Sequence, residues 1–160
     1  MHMDQRFEDP TMQCTETEGM TTMTFTASEL SYLGNQPIGR LATVRGDGSP
    51  QVSPVGFSYN EESGTIDIGG FNMSNSRKYH NVMHNDRVAF VVDDLASRQP
   101  WRVRCLEIRG TAELVPDPGT PTPGHDSSLI RIRPRRIISF GIEHADQEPH
   151  LMTANNRDVH

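Results

Sequence analysis

The stretch Asn72-Met73-Ser74-Asn75-Ser76-Arg77-Lys78 (NMSNSRK) follows an alternating apolar run and precedes a short helical pattern, and it decides how the chain is interpreted. Ser76 is a favourable N-cap residue, which predicts a helix from Ser76 to about Asn85. A helix N-terminus presents free amides and a partial positive charge, and Arg77 and Lys78 add two cations. By spacing alone these residues indicate either a phosphate site or a solvated basic turn.

Upstream of this stretch the sequence predicts one short helix and three strands. Thr26 and Glu29 have the spacing of a capping box, and Leu30 and Leu33 fall on one face of the helix that follows. Asp47-Gly48 is typical of a hairpin turn. The predicted strands are Ile38–Val44, residues 50–59 and Thr65–Gly70.

Downstream, a buried strand and a long strand are predicted. Val88–Val92 is continuously apolar, which favours burial on both faces, and Asp93-Asp94 is expected to end that strand. Trp101–Val115 is long enough for one strand whose apolar positions change parity after Cys105. Such a change predicts a β-bulge or strong bend at that point.

The last apolar segment is predicted to form one bent closing strand or two collinear pieces. Its apolar residues share one parity, and Pro134 is expected at an edge or a bulge because it cannot donate to a ladder. After Glu143 the chain is polar and is expected to fray. The residues that share parity are Ile130, Ile132, Ile138, Phe140 and Ile142.

These elements predict a mainly β fold in which six or seven antiparallel strands form a closed or partly closed barrel with two short helices. We expect a disordered extension over residues 1–22, one domain over residues 23–143 and a polar C-terminal tail over residues 144–160.

Composition excludes several classes of protein. The net charge is −6, from 15 Lys and Arg against 21 Asp and Glu, which argues against nucleic-acid binding. No apolar run approaches the roughly 20 residues of a membrane span, and no secretory signal is present. Cys14 and Cys105 form no CxxC pair, so a reducing cytoplasm is expected.

Four motifs in order resemble the pyridoxamine 5′-phosphate oxidase superfamily over residues 26–143. The resemblance implies an antiparallel split β-barrel that binds a flavin-type cofactor across a homodimer interface, with the phosphate held by Ser76, Arg77 and Lys78. The matching segments are Gly39–Val44 with Asp47–Pro50, Val52–Phe57, Asn72–Lys78 with Asn85–Phe90, and Ile108–Glu113.

Within that superfamily the chain is most similar to the actinobacterial branch that uses the deazaflavin F420 and includes tetracycline-pathway reductases. The resemblance implies an F420H2-dependent reductase that transfers a hydride to an electron-poor C=C or C=O bond of a small molecule. An FMN-dependent oxidase or reductase and a non-catalytic flavin or tetrapyrrole carrier are the alternatives. The supporting segments are Asp67–Gly70, Phe90–Leu95, Pro100–Arg102, Arg135–Ile137 and Gly141–Glu143.

The resemblance also implies the site residues. The cofactor ring is expected against Val52, Ser53, Pro54 and Val55 and against Gly70 to Asn72. Trp101, Arg102 and Arg104 are expected near the cofactor of the partner chain, or else as a core Trp and solvated arginines. Cys105 stands where the oxidases have a flavin-contacting Gln, and their C-terminal Trp and Arg pattern is missing, which argues against vitamin B6 oxidation.

No metal site and no catalytic side chain are predicted. His80 and His84 share a helix face but lack an obvious third ligand. Cys105 is expected to be a small buried residue rather than a nucleophile.

Overall fold

A computed structural model describes residues 23–116, 126–144 and 146–160, so the extension predicted over residues 1–22 lies outside the described residues. No helix in this part of the chain is long and apolar enough to cross a membrane. The helices are α1 (Ala27–Gly34) and α2 (Arg77–His84), with 3₁₀ turns at Met73–Asn75 and Pro149–Leu151. The strands are β1 (Gly39–Val44), β2 (Pro50–Val55), β3 (Ser58–Asn60), β4 (Thr65–Ile68), β5 (Arg87–Arg98), β6 (Trp101–Val115), β7 (Leu129–Phe140) and β8 (Asn155–Asp158).

Both helices begin where the sequence predicts. The capping box of α1 is confirmed: the Glu29 amide donates to Thr26 Oγ1 at 3.2 Å, and the Thr26 amide donates to Glu29 Oε2 at 2.9 Å. Ser76 caps α2 by accepting a hydrogen bond from the Tyr79 amide at 3.3 Å. These side chains satisfy amides that a helix N-terminus otherwise leaves unpaired.

The strands form one antiparallel sheet in the order β2-β1-β5-β6-β7-β4-β3, with β8 added to β7. Residues from every strand along that order except β3 meet in a single hydrophobic core, so the sheet curls around its own inner face. Among the described residues the pairing ends at β2 on one side and β3 on the other, and no ladder closes the barrel. The predicted mainly β, antiparallel class with two short helices is confirmed.

The predicted return strand over residues 50–59 is divided. β2 pairs with β1, whereas β3 pairs with β4, so the chain changes partner at Gly56 and Phe57. The hairpin turn at Asp47-Gly48 is confirmed, because Gly48 adopts φ +85°, in the left-handed region that glycine favours.

The bulge predicted inside β6 is wrong. β6 pairs without interruption, and the extra residues are Ala96 in β5 and Arg135 in β7. The apolar residues on both sides of Cys105 simply occupy the two faces of one strand: Leu106 and Ile108 are fully buried, while Val103 is half-buried.

The bulge in β7 also corrects the prediction for the closing strand. Pro134 lies beside the bulge, as its missing N–H requires. Ile130 and Ile132 face the core before the bulge, but Ile137 does so after it. The predicted single closing strand is thus confirmed, but its residues of shared parity do not share a face, because Ile138 and Phe140 turn to the outer face of the sheet after the bulge.

β5 also differs from prediction. Asp93 and Asp94 do not end the strand, which continues to Arg98. Of the apolar run, only Val88, Phe90 and Val92 are buried, because Ala89 and Val91 lie on the outer face and are half-buried. The run Val88–Val92 thus has one core face and one outer face that a second surface could cover.

The prediction that the chain frays after Glu143 is also wrong, because β8 pairs with β7. In this position Arg157 of β8 contacts the carboxylate of Glu29 in α1. Glu29 is 0% exposed. Its Oε1 accepts from Ser139 Oγ at 2.7 Å and from Arg157 Nη1 at 2.9 Å, and its Oε2 accepts from Arg157 Nη2. Arg157 Nη2 also donates to the Thr24 carbonyl at 3.0 Å. This ion pair joins both ends of the described chain.

Replacing Glu29 with Gln is predicted to lower the free energy of unfolding by about 3 kcal/mol, because it leaves a half-buried guanidinium without its counter-charge. Urea denaturation at pH 7 measures the loss. Asp158→Asn is the matched control, because Asp158 lies on β8 beside Arg157, the partner of Glu29. Its exposed pair with Arg136 at 2.9 Å should contribute less than about 1 kcal/mol. Equal losses in both variants would contradict the prediction.

The same pair predicts a pH dependence. Burial alone would raise the pKa of Glu29, but hydrogen bonds from Arg157, Thr26 and Ser139 hold it below its ordinary value of 4.5. A lowered folded-state pKa stabilises the fold above the unfolded-state pKa and ceases to do so as the pH falls through the folded-state value. The stability difference between wild type and Glu29→Gln should therefore shrink below about pH 4.5. A constant difference down to pH 2 would contradict this.

Candidate cofactor site

The N-terminus of α2 offers unsatisfied donors and two cations at one point. The amides of Arg77 and Lys78 lie in the first turn, where no carbonyl four residues earlier belongs to the helix. The Arg77 side chain is exposed and that of Lys78 is half-exposed, and neither forms an ion pair within the described ranges. This donor set fits a phosphate group.

The segment before α2 is fixed by the core and by a distant carboxylate. Met73 is fully buried, and the Ser76 amide donates to its carbonyl at 2.9 Å. The amide and the hydroxyl of Ser74 both donate to Asp126 Oδ2 at 2.8 Å. The Ser74 amide and bonds to Ser128 hold the pKa of Asp126 well below its usual range. Asp126 therefore stays ionised and ties the start of α2 to the segment that leads into β7.

A buried amide side chain docks α2 on the sheet. Asn81 Nδ2 donates to Thr43 Oγ1 on β1 at 2.9 Å and to Gln51 Oε1 on β2 at 3.1 Å. The helix that carries the predicted phosphate residues is thus held against the strand predicted to contact the ring.

The predicted ring-lining residues divide by strand parity. Val52 is 65% exposed and Pro54 is also exposed, whereas Val55 is buried and Ser53 is half-buried. Val52 and Pro54 are therefore the accessible side chains of the predicted segment 52–55, and β2 is an edge strand among the described residues. Gly70 and Asn72 are exposed in the connection between β4 and α2.

The second predicted cluster, Trp101, Arg102 and Arg104, lies at the start of β6. Trp101, at the start of β6, is 61% exposed, and Arg102 beside it is half-buried. From Trp101 the strand runs ten residues to Thr111, about 33 Å along an extended strand, and Thr111 pairs with Arg87 just after the C-terminal end of α2. Trp101 and Arg102 therefore lie at the end of β6 opposite to the residues that follow α2.

Arg104 is engaged in a network that the sequence did not reveal. Its Nε donates to Asp94 Oδ1 at 2.8 Å, its Nη2 contacts Asp94 Oδ2, and the guanidinium lies 5.2 Å from the Tyr32 ring centroid. The Tyr32 hydroxyl donates to Asp94 at 3.1 Å, and Gln36 donates to the same carboxylate at 3.2 Å. Burial, followed by the charge of Asp94, raises the pKa of Tyr32.

This network borders a cavity of about 460 Å³ along the exposed side of α1. Its polar lining includes Ser28, Ser31 and Asn35. No sequence signal could have joined Tyr32 to Asp94, because these residues are 62 positions apart and no motif spans them.

The remaining reactive side chains are not arranged for catalysis. Burial, then the charges of Asp93 and Glu107, raises the pKa of the Cys105 thiol to about 11, so the thiolate is scarce at neutral pH. His84 Nδ1 lies 2.8 Å from the His80 carbonyl. In the part of the chain that the structure describes, no three His, Cys, Asp or Glu residues are grouped to hold a metal ion. The site offers binding groups rather than an activated nucleophile.

Comparisons with known proteins identify the family of the chain. The pyridoxamine 5′-phosphate oxidase family matches residues 26–146. A 5a,11a-dehydrotetracycline/5a,11a-dehydrooxytetracycline reductase from Streptomyces rimosus subsp. rimosus is 51% identical over 122 residues, covering 76% of this chain and 86% of that protein.

Two solved structures share the fold. An F420 reductase is 32% identical with a TM-score of 0.50, covering 65% of this chain and 91% of its own. A conserved hypothetical protein from Mycobacterium tuberculosis is 20% identical with a TM-score of 0.57, covering 73% of this chain and 85% of its own, and it supports the fold alone. The predicted split-barrel fold and the predicted resemblance are both confirmed, and the chain belongs to the pyridoxamine 5′-phosphate oxidase family.

Proposed function

We propose that this protein is an F420H2-dependent reductase that delivers a hydride to an electron-poor, enone-type C=C bond of a small molecule in tetracycline-type polyketide metabolism. The observation that carries the proposal is the 51% identity to a dehydrotetracycline reductase over 86% of that protein's length. The absence of an activated nucleophile from the described site supports it, because a bound cofactor supplies the reactive atom in such enzymes.

The chain's own residues bind and orient the cofactor. Ser76, Arg77 and Lys78 hold the phosphate through the first-turn amides and two cationic side chains. Val52 and Pro54 would lie along the ring, and Gly70 and Asn72 would border it from the connection before α2. A reduced deazaflavin, when bound, supplies a hydride from C5. The protein contributes position and exclusion of water.

FMN is the alternative cofactor, because the same phosphate residues serve both ligands. F420 is favoured by the 32% identity to an F420 reductase that the chain matches over 91% of that structure. A non-catalytic carrier would use the same anchor but would not reduce an enone.

The site is completed by a second copy of the chain. The outer face of β1, β5, β6 and β7 mixes apolar and charged side chains: Ala42 pairs with Ala89 and Cys105 with Phe140, whereas Val91 lies between Arg40 and Glu107. Several of the charged side chains form ion pairs, Arg40 with Asp93 at 2.8 Å and Arg109 with Glu107 at 2.5 Å. The apolar members are Ala42, Ala89, Val91, Cys105, Ile138 and Phe140.

A homodimer through this outer face would also bring two separate groups of site residues together. These are Ser76, Arg77 and Lys78 of one chain and Trp101 and Arg102 of the other. Trp101 and Arg102 lie at the end of β6 opposite to the residues that follow α2, so we take a partner chain as the source of these groups at the cofactor. The half-buried apolar side chains of the outer face would become fully buried in the dimer, which stabilises association.

The proposed function is tested by titrating the protein with F420 and with FMN in parallel and then adding an enone substrate of the dehydrotetracycline class. We expect tight F420 binding and re-oxidation of F420H2, followed by its absorbance, only when the enone is present. Purified protein that carries FMN and ignores F420H2 would contradict the proposal. Tight F420 binding without reduction of any enone would favour a carrier.

Replacing both Arg77 and Lys78 with Ala is predicted to weaken FMN and F420 binding by about 3 kcal/mol, from two charge-assisted bonds of about 1.5 kcal/mol each. Riboflavin, which lacks the phosphate, should bind the variant and the wild type equally. Unchanged FMN and F420 affinity would place the phosphate elsewhere.

Ser76→Asp separates folding from phosphate binding. Asp is as good an N-cap as Ser, so thermal stability should be retained, but its charge should repel the phosphate and reduce FMN and F420 binding at least tenfold. Ser76→Ala should instead lose about 1 kcal/mol of stability. An Asp variant that binds FMN or F420 as tightly as wild type would contradict the anchor assignment.

Val91→Glu is predicted to convert the dimer to a monomer, because it buries a charge in the centre of the outer face beside Glu107. Light scattering should give twice the 17.9 kDa chain mass for wild type and the single mass for the variant. Met83→Glu, on the exposed side of α2, is the control and should remain dimeric. A monomeric wild type that binds F420 fully would contradict the shared site.

A further inference from the structure

For each strand from β6 through β5 and β1 to β2, the pairing shows which neighbouring strand the backbone N–H and C=O of each residue face. The Ala112 amide donates to the Asp86 carbonyl at 2.7 Å, just beyond the last paired residues of β5 and β6. In an antiparallel ladder, hydrogen-bonded pairs recur at every second residue. Val88 and Phe90 therefore direct their backbone groups to β6, and Ala89 and Val91 direct theirs to β1.

The same alternation continues through β1. Ala89 and Val91 pair with Ala42 and Arg40, so those two residues of β1 bond to β5. The alternate residues of β1, Leu41 and Thr43, must then bond to β2. Their partners there are Ser53 and Gln51.

The remaining residues of β2 direct their backbone groups away from the sheet. These residues are Pro50, Val52 and Pro54, and their side chains are exposed. Proline has no N–H. Within the described ranges no strand pairs with this edge of β2, which therefore presents three carbonyl acceptors, spaced about 6.7 Å apart, but only one amide donor, that of Val52.

An edge with few amide donors distinguishes an oxidised flavin from a deazaflavin, because the two rings differ at one atom. Oxidised flavins have a nitrogen acceptor, N5, where deazaflavins have a C–H group. A ring acceptor that is removed from water without a donor is destabilised, whereas a C–H group needs no donor.

We propose that Pro54 makes the β2 edge select a deazaflavin over an oxidised flavin by withholding the amide that ring position 5 would otherwise meet. The inference rests on the proposed function, because it takes β2 as the ring-binding strand. Pro54 is assigned rather than Pro50 because it belongs to the predicted ring-lining segment 52–55. Pro50 adjoins the hairpin turn, four residues and about 13 Å away.

The test compares FMN with 5-deaza-FMN, which differs from FMN only at position 5, by fluorescence titration of the oxidised ligands. Wild type should bind 5-deaza-FMN several-fold to about tenfold more tightly, the effect of one neutral hydrogen bond. Pro54→Ala restores an outward N–H without affecting the ladder to β1. It should raise the affinity for FMN relative to 5-deaza-FMN by that factor, because a change in packing on the ring affects both ligands alike.

Pro50→Ala is the matched control, since it also restores an outward N–H, and it should leave the affinity ratio as in wild type. Val52→Pro removes the single donor and should weaken both ligands by more than Val52→Ala, which keeps the amide, and the affinity ratio should stay as in wild type in both variants. Thermal denaturation checks that each variant folds.

Equal affinity of wild type for the two rings, or an unchanged ratio in Pro54→Ala, would overturn the inference while the proposed function stands. A ratio that changes in Pro50→Ala instead would overturn the assignment to Pro54. If wild type binds F420, FMN and 5-deaza-FMN negligibly, the proposed function fails, and the inference fails with it.

Discussion

The structure depends on the coupling, in an antiparallel sheet, between the direction of a side chain and the direction of its backbone hydrogen bonds. Along each strand, residues that share a face also point their N–H and C=O groups to the same neighbour. The pairing of β5 with β6 therefore fixes which residues fill the core, which form the outer face and which groups remain free at the edge of β2. The bulges at Ala96 and Arg135 are the points where this alternation is reset.

The two ends of the described chain are joined by one buried carboxylate. Glu29 completes the capping box of α1 and also accepts hydrogen bonds from Ser139 on β7 and Arg157 on β8. A buried charge is tolerated only when it is paired and hydrogen-bonded, so α1, β7 and β8 hold their places together. The position of α1 in turn places Tyr32 against Asp94 and Arg104.

The candidate site shows why binding groups suffice for the proposed chemistry. In the proposal, phosphate affinity comes from a helix start that the core and Asp126 hold in place. Ring recognition is assigned to β2, which is an edge strand among the described residues. The position of Trp101 at the opposite end of β6 makes an assembly of two chains part of the proposal, and the mixed apolar and charged outer face is the surface proposed for it.

The sequence by itself determined the features that local chemistry decides. Thr26 with Glu29, Ser76 before Arg77, and the Asp47-Gly48 turn each act within a few residues, so the helix starts and the first hairpin could be predicted. The ordered motifs also identified the family.

Only the tertiary structure decided the features that depend on distant partners. The bulge at Arg135, the pairing of β8, the Ser74 bonds to Asp126 and the Arg104 pair with Asp94 each require a register set by other strands. Polar residues near the C-terminus carry no apolar period, so the sequence could not show that Arg157 reaches Glu29. Pro54 was visible in the sequence, but only the chain of pairings from β6 to β2 showed that its missing N–H faces outward, because hydrogen-bond direction alternates from residue to residue.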